Sequence, residues 1–474
     1  MDWCYNNRGN DHCENHRRKL VLNMKLAYQS SRTVSTDSPA SPEKDTPAPD
    51  PASWIRQFFE EQGRNLRNLV KWFLLAVITG VGAGGVSCLF SYILTKATGL
   101  REAREWIFLL LPAAGLAIVF LYEKFDRNDG GTNQVFSTIR ERDDIPVYSA
   151  PLVFISTVLT HLTGGSAGRE GAAIQIGGSI GDRLGRLVRL DEEDRHVIIM
   201  CGMSAAFSAV FGTPLAAAVF SMEAVSVGVM YYAALFPCMT ASLTASALAS
   251  VFGIEAERYR TGAIPPLTLE NALKIALVAL ICAAVSILFC LLLSAAANFY
   301  GRFFKNPYLR VAAAGCLIII ITFILRTDDY MGSGSNLIVQ AVEHGQARWY
   351  TFLLKMLLTA LTMRAGFRGG EIVPSFSIGA ALGCVLGQLI GISPSTAAAA
   401  GMTALFCGVT NCPLTSLLIA FELFGFGGAP YYFIAAAVSY AASGYYGLYK
   451  DQTIVYSKYK ARYINRHIKI FPGS

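Results

Sequence analysis

The stretch GGSAGREGAAIQIGGSIG, residues 164–181, returns in related form as GFRGGEIVPSFSIGAALG, residues 366–383. Each copy places a glutamate, Glu170 or Glu371, between a glycine-rich stretch and an apolar segment. Glycines before a helix leave backbone N–H groups free to converge on a ligand, and the helix dipole adds about half a positive charge there. Two such helix starts predict a binding site for a small anion that needs no lysine or arginine.

The similarity between the two halves extends beyond these stretches, at offsets of 199 to 203 residues. Residues 202–207 match residues 401–406, and residues 131–133 match residues 334–336. The three blocks follow one another in the same order in both halves. Repeats of this kind commonly build transporters, in which broken helices form the substrate site between the repeats near the membrane midplane.

The composition indicates a membrane protein. Of the 474 residues, 53% are hydrophobic and only 15% are charged, whereas soluble domains carry about 25% charged residues. Uncharged stretches over residues 224–254, 275–301 and 372–421 exceed the roughly 20 residues that a helix needs to span a bilayer. We therefore expect an all-α polytopic membrane protein.

We predict three segments: a disordered, cytoplasmic N-terminal tail over residues 1–55, a first transmembrane repeat over 56–260, and a second over 261–474 with a basic C-terminal end. The tail is polar and lacks the apolar core of a signal peptide. Basic residues crowd both ends of the chain, and basic flanks stay on the cytoplasmic side of a membrane. Both termini are thus expected in the cytoplasm of a multi-pass plasma-membrane protein, in a bacterial inner membrane. Nucleic-acid binding is the other interpretation of the +7 net charge, but membrane flanks explain it more simply.

The chemistry-bearing side chains fit no common enzyme or metal pattern. The sequence has no HExxH, nucleophile elbow or P-loop, and His161 stands alone in an apolar segment. Cys4, His12, Cys13 and His16 do not have a common zinc spacing. We predict no enzyme activity, no cofactor and no metal.

Four glutamates in the apolar regions are the candidate functional acids, because an intramembrane carboxylate is a functional hypothesis by default. Glu170 and Glu371 stand at helix starts. An ionised carboxylate is attracted to the positive end of the helix and can occupy the place of the anion, and protonation removes this attraction. This arrangement predicts a coupling between proton binding and anion binding. Glu223 and Glu422 end apolar helices at matched positions. Pairing with arginine, or exposure at a helix end, is the alternative to a transport role for these two.

Several motifs together resemble the CLC family of anion channels and anion/proton antiporters. They are Gly168-Arg169-Glu170-Gly171, the block at 369–374, and the related segments at 211–215 and 410–414. The resemblance covers about residues 60 to 470. It implies a CLC-type fold of two inverted-topology repeats with tilted and broken helices, homodimeric pairing, and a separate pore in each subunit.

Position by position, the resemblance implies that Glu170 is the gating glutamate. Glu371 is an acid beside the ion site, and we predict that it serves either as a second proton-transfer group or as a polar partner for the anion. The resemblance also implies that Tyr456, in a C-terminal helix, turns its hydroxyl toward the ion. The full set of residues that we predict to bind the anion is Thr132, Asn133, Gly171, Ala172, Ile372, Val373 and Tyr456.

Departures from the family pattern narrow the expectation. Residues 131–135, Gly-Thr-Asn-Gln-Val, stand where chloride-selective members have Gly-Ser-Gly-Ile-Pro, and Ala172 replaces the usual proline. Ala224 stands where chloride antiporters carry an internal proton-transfer glutamate, and Glu371 is an additional acid. Together these features look like the fluoride/proton antiporter branch, although Val373 replaces a hydroxyl residue found in some of its members. We predict a fluoride/proton antiporter that exports fluoride; the alternative is a chloride/proton antiporter or a voltage-gated-type chloride channel of the same fold.

Overall fold

The computed structural model describes residues 51–126, 130–141, 144–460 and 462–468. Most of the predicted tail, residues 1–50, lies outside the described residues, and the predicted segment boundaries stay predictions. The chain divides into two units, Met1–Leu66 and Arg67–Ser474. The described part of the first unit, residues 51–66, is helical.

Sixteen α-helices account for most of the described residues. Those of the first half are α1 (Pro51–Ala103), α2 (Leu111–Phe125), α3 (Thr132–Glu141), α4 (Ser149–Leu162), α5 (Glu170–Leu187), α6 (Glu192–Phe211), α7 (Pro214–Glu223) and α8 (Leu235–Val251). Those of the second half are α9 (Leu269–Phe303), α10 (Pro307–Leu325), α11 (Ser335–Val342), α12 (Thr351–Ala365), α13 (Ile372–Ile390), α14 (Pro394–Thr410), α15 (Pro413–Phe424) and α16 (Ala429–Ala442). Short 3-10 turns cover Glu105–Leu110, Tyr232–Ala234 and Phe426–Gly428.

The two halves have the same succession of helices, so the predicted repeat is confirmed at the level of the fold. The matched stretches fall in equivalent helices: at or just before the starts of α3 and α11 and of α5 and α13, and within α6 and α14. Neighbouring helices also pack equivalently, because α5 lies against α6 as α13 lies against α14. The all-α fold with two inverted repeats is therefore observed.

Helices of very different length support a membrane location. Six helical segments in the described part of the chain are long and apolar enough to cross a bilayer, among them α9 with 35 residues and α10 with 19. Others, such as α7 with 10 residues and α15 with 12, are too short to span about 30 Å of hydrocarbon alone. Large apolar side chains on α10, including Ile320, Phe323 and Ile324, are exposed as a lipid-facing helix requires. The short helices are the broken elements that the resemblance implies.

Glycines allow backbone-to-backbone contact inside each repeat. A Cβ atom on Gly202 of α6 would lie 2.1 Å from the carbonyl oxygen of Gly177 on α5. The equivalent Gly401 of α14 would place a Cβ 2.5 Å from the carbonyl oxygen of Gly379 on α13. Small residues permit this close helix packing in membranes. Glycines downstream of each glutamate therefore allow the paired helices to pack closely.

The glutamates that end α7 and α15 cap each other's helices. Glu223 accepts hydrogen bonds from the N–H groups of Leu414 (3.1 Å) and Thr415 (2.8 Å) at the start of α15. Glu422 accepts from two N–H groups at the start of α7, at 3.0 and 2.9 Å. A carboxylate satisfies the free N–H groups of a helix start and interacts favourably with its dipole. Neither pairing with arginine nor simple exposure describes these two acids; they join the repeats reciprocally.

The C-terminal segment differs from the expectation. Residues Thr453–Tyr456 form strand β2, which pairs in parallel with β1 (Ser226–Val227) and antiparallel with β3 (Tyr463–His467). The expected helix around Tyr456 is therefore wrong. The sequence Thr-Ile-Val-Tyr is β-branched and aromatic, which favours a strand, and β1 offers it a pairing edge directly after α7.

The close contact of α5 and α6 can be tested with Gly202→Ala. We expect this substitution to destabilise the protein by about 1–3 kcal/mol or more, because the added methyl group meets backbone that cannot move aside. Thermal unfolding of the purified protein in detergent measures the effect. Gly82→Ala is the matched control, since a Cβ there has its nearest neighbour at 4.0 Å. Equal melting temperatures for the two variants would contradict this close packing.

Candidate anion site

The two glycine-rich stretches touch at the centre of the protein. The N–H of Gly168 donates to the carbonyl of Gly370 at 2.7 Å, and the N–H of Gly370 donates to the carbonyl of Gly168 at 2.8 Å. Space is tight around this antiparallel bridge, because a Cβ on Gly370 would lie 2.7 Å from the nitrogen of Gly171. The bridge brings the start of α5 beside the start of α13. Two positive dipole ends therefore lie close together, as the sequence predicts.

Glu170 is the first residue of α5, and its side chain is fully buried. Its Oε2 atom accepts a hydrogen bond from the N–H of Arg169 at 3.1 Å. Its Oε1 atom lies 3.6 Å from Nε of Arg169 and has no hydrogen-bond partner among the described residues. The carboxylate thus folds back over the start of its own helix, a place suited to a free anion.

Arg169 separates Glu170 from a cavity of about 430 Å³. His161 and Glu257 line the same cavity. The imidazole Nε2 of His161 lies 3.2 Å from the carbonyl oxygen of Gly168, so this histidine supports the glycine bridge. We call this cavity the outer vestibule.

Thr132 and Asn133 begin α3 beside α5. The hydroxyl of Thr132 donates to the carbonyl of Gly171 at 3.2 Å. The Oδ1 atom of Asn133 is buried and has no hydrogen-bond partner in the part of the chain that the structure describes. The structure brings both residues to the start of α5, while their anion-binding roles stay predictions.

The remaining predicted backbone positions also converge on the glycine bridge. Gly171 and Ala172 lie in the first turn of α5, and Ile372 and Val373 lie in the first turn of α13. Ala172 is fully buried, and Ile372 and Val373 are nearly so. These positions can present backbone N–H groups to an anion in a dry environment.

Glu371 differs from Glu170 although the repeat relates them. Its Oε1 atom accepts a hydrogen bond from Nη2 of Arg364 at 3.2 Å, and both side chains are partly exposed. Arg364 is in the last turn of α12 and has no part in the predicted site. The carboxylate of Glu371 is therefore held by a side chain, whereas that of Glu170 lies on its own backbone.

A tyrosine reaches the site, but it is Tyr449. Its ring is buried and packs edge-on against Phe136, with ring centroids 4.8 Å apart. Its phenol lies close enough to Glu371 and Glu170 for electrostatic interaction, and its oxygen has no hydrogen-bond partner among the residues described.

Tyr456, the predicted residue, is 48% exposed and packs edge-on against Tyr463 on the C-terminal sheet, so the structure does not bring it to the glycine bridge. The assignment depended on a C-terminal helix, whereas this segment forms strand β2. The turn Ser443-Gly444-Tyr445-Tyr446-Gly447 after α16 is the sequence feature that could have pointed to Tyr449. It returns the chain to the protein interior, where the N–H of Leu448 donates to the carbonyl of Val409 at 2.9 Å.

The position of the expected internal acid holds an uncharged cluster. Ala224 is fully buried, and its carbonyl accepts a hydrogen bond from Nε2 of Gln452 at 3.0 Å. The same amide donates to the carbonyl of Thr410 at 2.8 Å. Gln452 thus joins the ends of α7 and α14.

Comparison with known proteins agrees with this architecture. The family described as "Voltage gated chloride channel" matches residues 114–444. A "Chloride/fluoride channel protein" of Pseudomonas syringae pv. tomato is 37% identical over 407 residues, which are 84% of this chain and 90% of the relative. An "H(+)/Cl(-) exchange transporter" of Citrobacter koseri is 26% identical, over 74% of this chain and 80% of the relative. These relatives are described as channels or transporters.

Solved structures give the same result. The crystal structure of a CLC-type fluoride/proton antiporter superposes with a TM-score of 0.78 at 36% identity, over 81% of this chain and 98% of the other. A slow cyanobacterial Cl−/H+ antiporter superposes with a TM-score of 0.68 at 18% identity and shares the fold, over 78% and 94% of the two chains. With two bridged helix starts at its centre and a family match over more than half of its length, this polytopic membrane protein belongs to the CLC family of voltage gated chloride channels and related transporters.

Proposed function

We propose that the protein is a fluoride/proton antiporter that exports fluoride from the cytoplasm, with Glu170 as its protonatable gate. The observation that carries this proposal is the fully buried carboxylate of Glu170, which lies on the N-terminal backbone of its own helix. An ionised carboxylate there competes with an anion for the same N–H groups. A protonated carboxylate loses the charge attraction and leaves these N–H groups free for the anion. Proton binding and anion binding are therefore linked.

The donor set supports fluoride as the substrate. Fluoride is small and strongly hydrated, so a site must replace its water with several short hydrogen bonds. Backbone N–H groups near 170–172 and 371–373 provide donors, and Thr132, Asn133 and Tyr449 add side-chain groups beside them. The tight glycine bridge favours a small ion. Relatives at 36–37% identity are described in terms of fluoride, whereas chloride/proton exchange, described for the 26% identical relative, remains the second candidate.

The inner proton route has to avoid Ala224, which carries no acid. Glu371 is the alternative, because it interacts with Arg364 on one side and with Tyr449 on the other. Arg364 lines a small cleft of about 30 Å³ together with Cys290, Ser294 and Lys450. We infer that a proton from the inner side reaches Glu371 through this cleft and passes toward Glu170.

The expected orientation follows from basic residues. Arg183, Arg186, Arg189 and Arg195 surround the turn between α5 and α6, and basic loops stay in the cytoplasm. Lys71 of α1 pairs with Asp194 at the same turn at 2.5 Å. We propose that both termini are cytoplasmic, that the membrane is a bacterial inner membrane, and that the protein is a homodimer as the family resemblance implies.

Liposomes that contain the purified protein and are preloaded with fluoride test the function. We expect electrogenic loss of fluoride together with proton uptake, recorded with a fluoride electrode and an external pH electrode. Glu170→Gln should reduce proton uptake to that of protein-free vesicles, which also measure the leak of HF. Equal transport of chloride would remove the selectivity claim, and coupled exchange by Glu170→Gln would remove the gating role.

Glu371→Gln tests the inner proton route. We expect loss of proton uptake while the protein still folds, because an amide cannot release a proton. Arg364→Met should weaken coupling in the same direction, since it removes the partner of the carboxylate. Glu270→Gln is the control, as it changes an exposed acid at the start of α9. Proton coupling that survives Glu371→Gln would exclude this route.

Tyr449→Phe and Tyr456→Phe separate the two tyrosines. Loss of a hydrogen bond to a charged ligand costs about 1.5–3 kcal/mol, so we expect Tyr449→Phe to weaken fluoride binding about 10- to 100-fold. Tyr456→Phe should leave binding unchanged because Tyr456 lies on the exposed sheet. Isothermal titration with fluoride measures both variants. An unchanged affinity in Tyr449→Phe would remove its phenol from the anion site.

A further inference from the structure

Arg169 is shared between two carboxylates. Its Nη2 atom donates to Oε1 of Glu257 at 2.5 Å, while its Nε atom lies 3.6 Å from Oε1 of Glu170. The hydroxyl of Tyr259 donates to the other oxygen of Glu257 at 3.0 Å. Glu257 is therefore held on both of its oxygens, and the guanidinium that holds it also lies near Glu170.

Glu257 comes from the extended segment that joins the two repeats, between α8 and α9. The N–H of Tyr259 donates to the carbonyl of Leu423 at 2.9 Å, and this anchors the segment to the end of α15. Next to Glu257, Ala256 packs on the end of α6, where a Cβ on Gly212 (φ +76°) would lie 2.4 Å from its methyl group. The connection is thus held firmly at the position of the acid.

The outer vestibule contains further charged groups, carried by other elements. Arg101 and Glu102 lie at the end of α1, His161 in α4, and Asp328 and Asp329 in the loop after α10. Lys355 of α12 is buried behind this loop and donates to the carbonyls of Tyr330 and Gly332. Within the described part of the chain, the carboxylates that pair with Arg169 are those of Glu170 and Glu257.

We propose that Glu257 is a positioning residue of the gate. Glu257 holds Arg169, and the guanidinium of Arg169 therefore stabilises ionised Glu170 only in part. A cation attracts a carboxylate less strongly when a second carboxylate shares it, and the two acids also repel each other. When Glu170 is protonated and moves, Arg169 keeps Glu257 as its partner, so that no unpaired buried charge is left. Glu257 therefore sets the pH at which the gate is released. This inference rests on the proposed proton-coupled function.

Glu257→Gln tests the inference through the pH dependence of fluoride efflux from liposomes. In the variant Arg169 attracts Glu170 alone, so ionised Glu170 stays in the anion site until the pH is lower. We expect the pH of half-maximal transport to fall by about 0.5–1 unit, which is less than the roughly 1–3 units of a direct charge pair because the effect passes through Arg169. Glu257→Asp should restore most of the wild-type profile, and Tyr259→Phe should give a smaller shift in the same direction.

Two controls make the result specific. Glu255→Gln removes the same charge from an exposed site of the same segment, and it should leave the pH of half-maximal fluoride efflux unchanged. When Glu257→Gln is added to Glu170→Gln, the pH dependence of the residual fluoride efflux should not shift further, because the carboxylate of Glu170 that responds to Arg169 is gone. Elution of each variant by size exclusion shows that it is folded.

An unmoved profile in Glu257→Gln overturns the proposal, and so does an equal shift in Glu255→Gln or a shift that persists without Glu170. Wild-type liposomes separate this outcome from failure of the proposed function. If they move no protons with fluoride, the antiporter proposal itself is wrong, whereas wild-type exchange with an unmoved variant profile rejects the role of Glu257 alone.

Discussion

The two hydrogen bonds between Gly168 and Gly370 are the constraint on which the site depends. They join the repeats where space is tight, since a side chain on either glycine would meet atoms 2.7 to 2.9 Å away. Because each glycine lies just before a helix, the bridge also fixes the separation of two positive dipole ends. The bridge therefore places the two helix starts of the candidate anion site side by side.

The frame is symmetric, but the groups that would carry out transport are not. Glu223 and Glu422 exchange equivalent capping contacts, and the glycines of α5–α6 and α13–α14 make equivalent backbone contacts. Glu170 and Glu371 occupy matched positions and yet have different partners, a helix backbone in one repeat and Arg364 in the other. The equivalent contacts stabilise the frame, whereas the two glutamates at matched positions are held by different groups.

The arginines near the site, Arg169 and Arg364, are paired with carboxylates. On one side Arg169 is divided between Glu170 and Glu257, and on the other Gln452 supplies an uncharged amide beside Ala224. A fixed, unpaired cation at the centre would hold an anion too strongly for turnover. Weak donors inside and paired charges outside are consistent with a site that must both bind and release.

The membrane location, the repeat and the two glutamates at helix starts could be predicted from the residues alone, because each is a local pattern of residue types. The sequence did not predict that Tyr449 enters the site in place of Tyr456, since that depends on a turn and a strand that replace the expected helix. Nor could it reveal Arg169 with Glu257, 88 residues apart, or Glu223 with Leu414, 191 residues apart. Such pairs depend on how helices and connections meet in three dimensions, so they could be identified only in the folded structure.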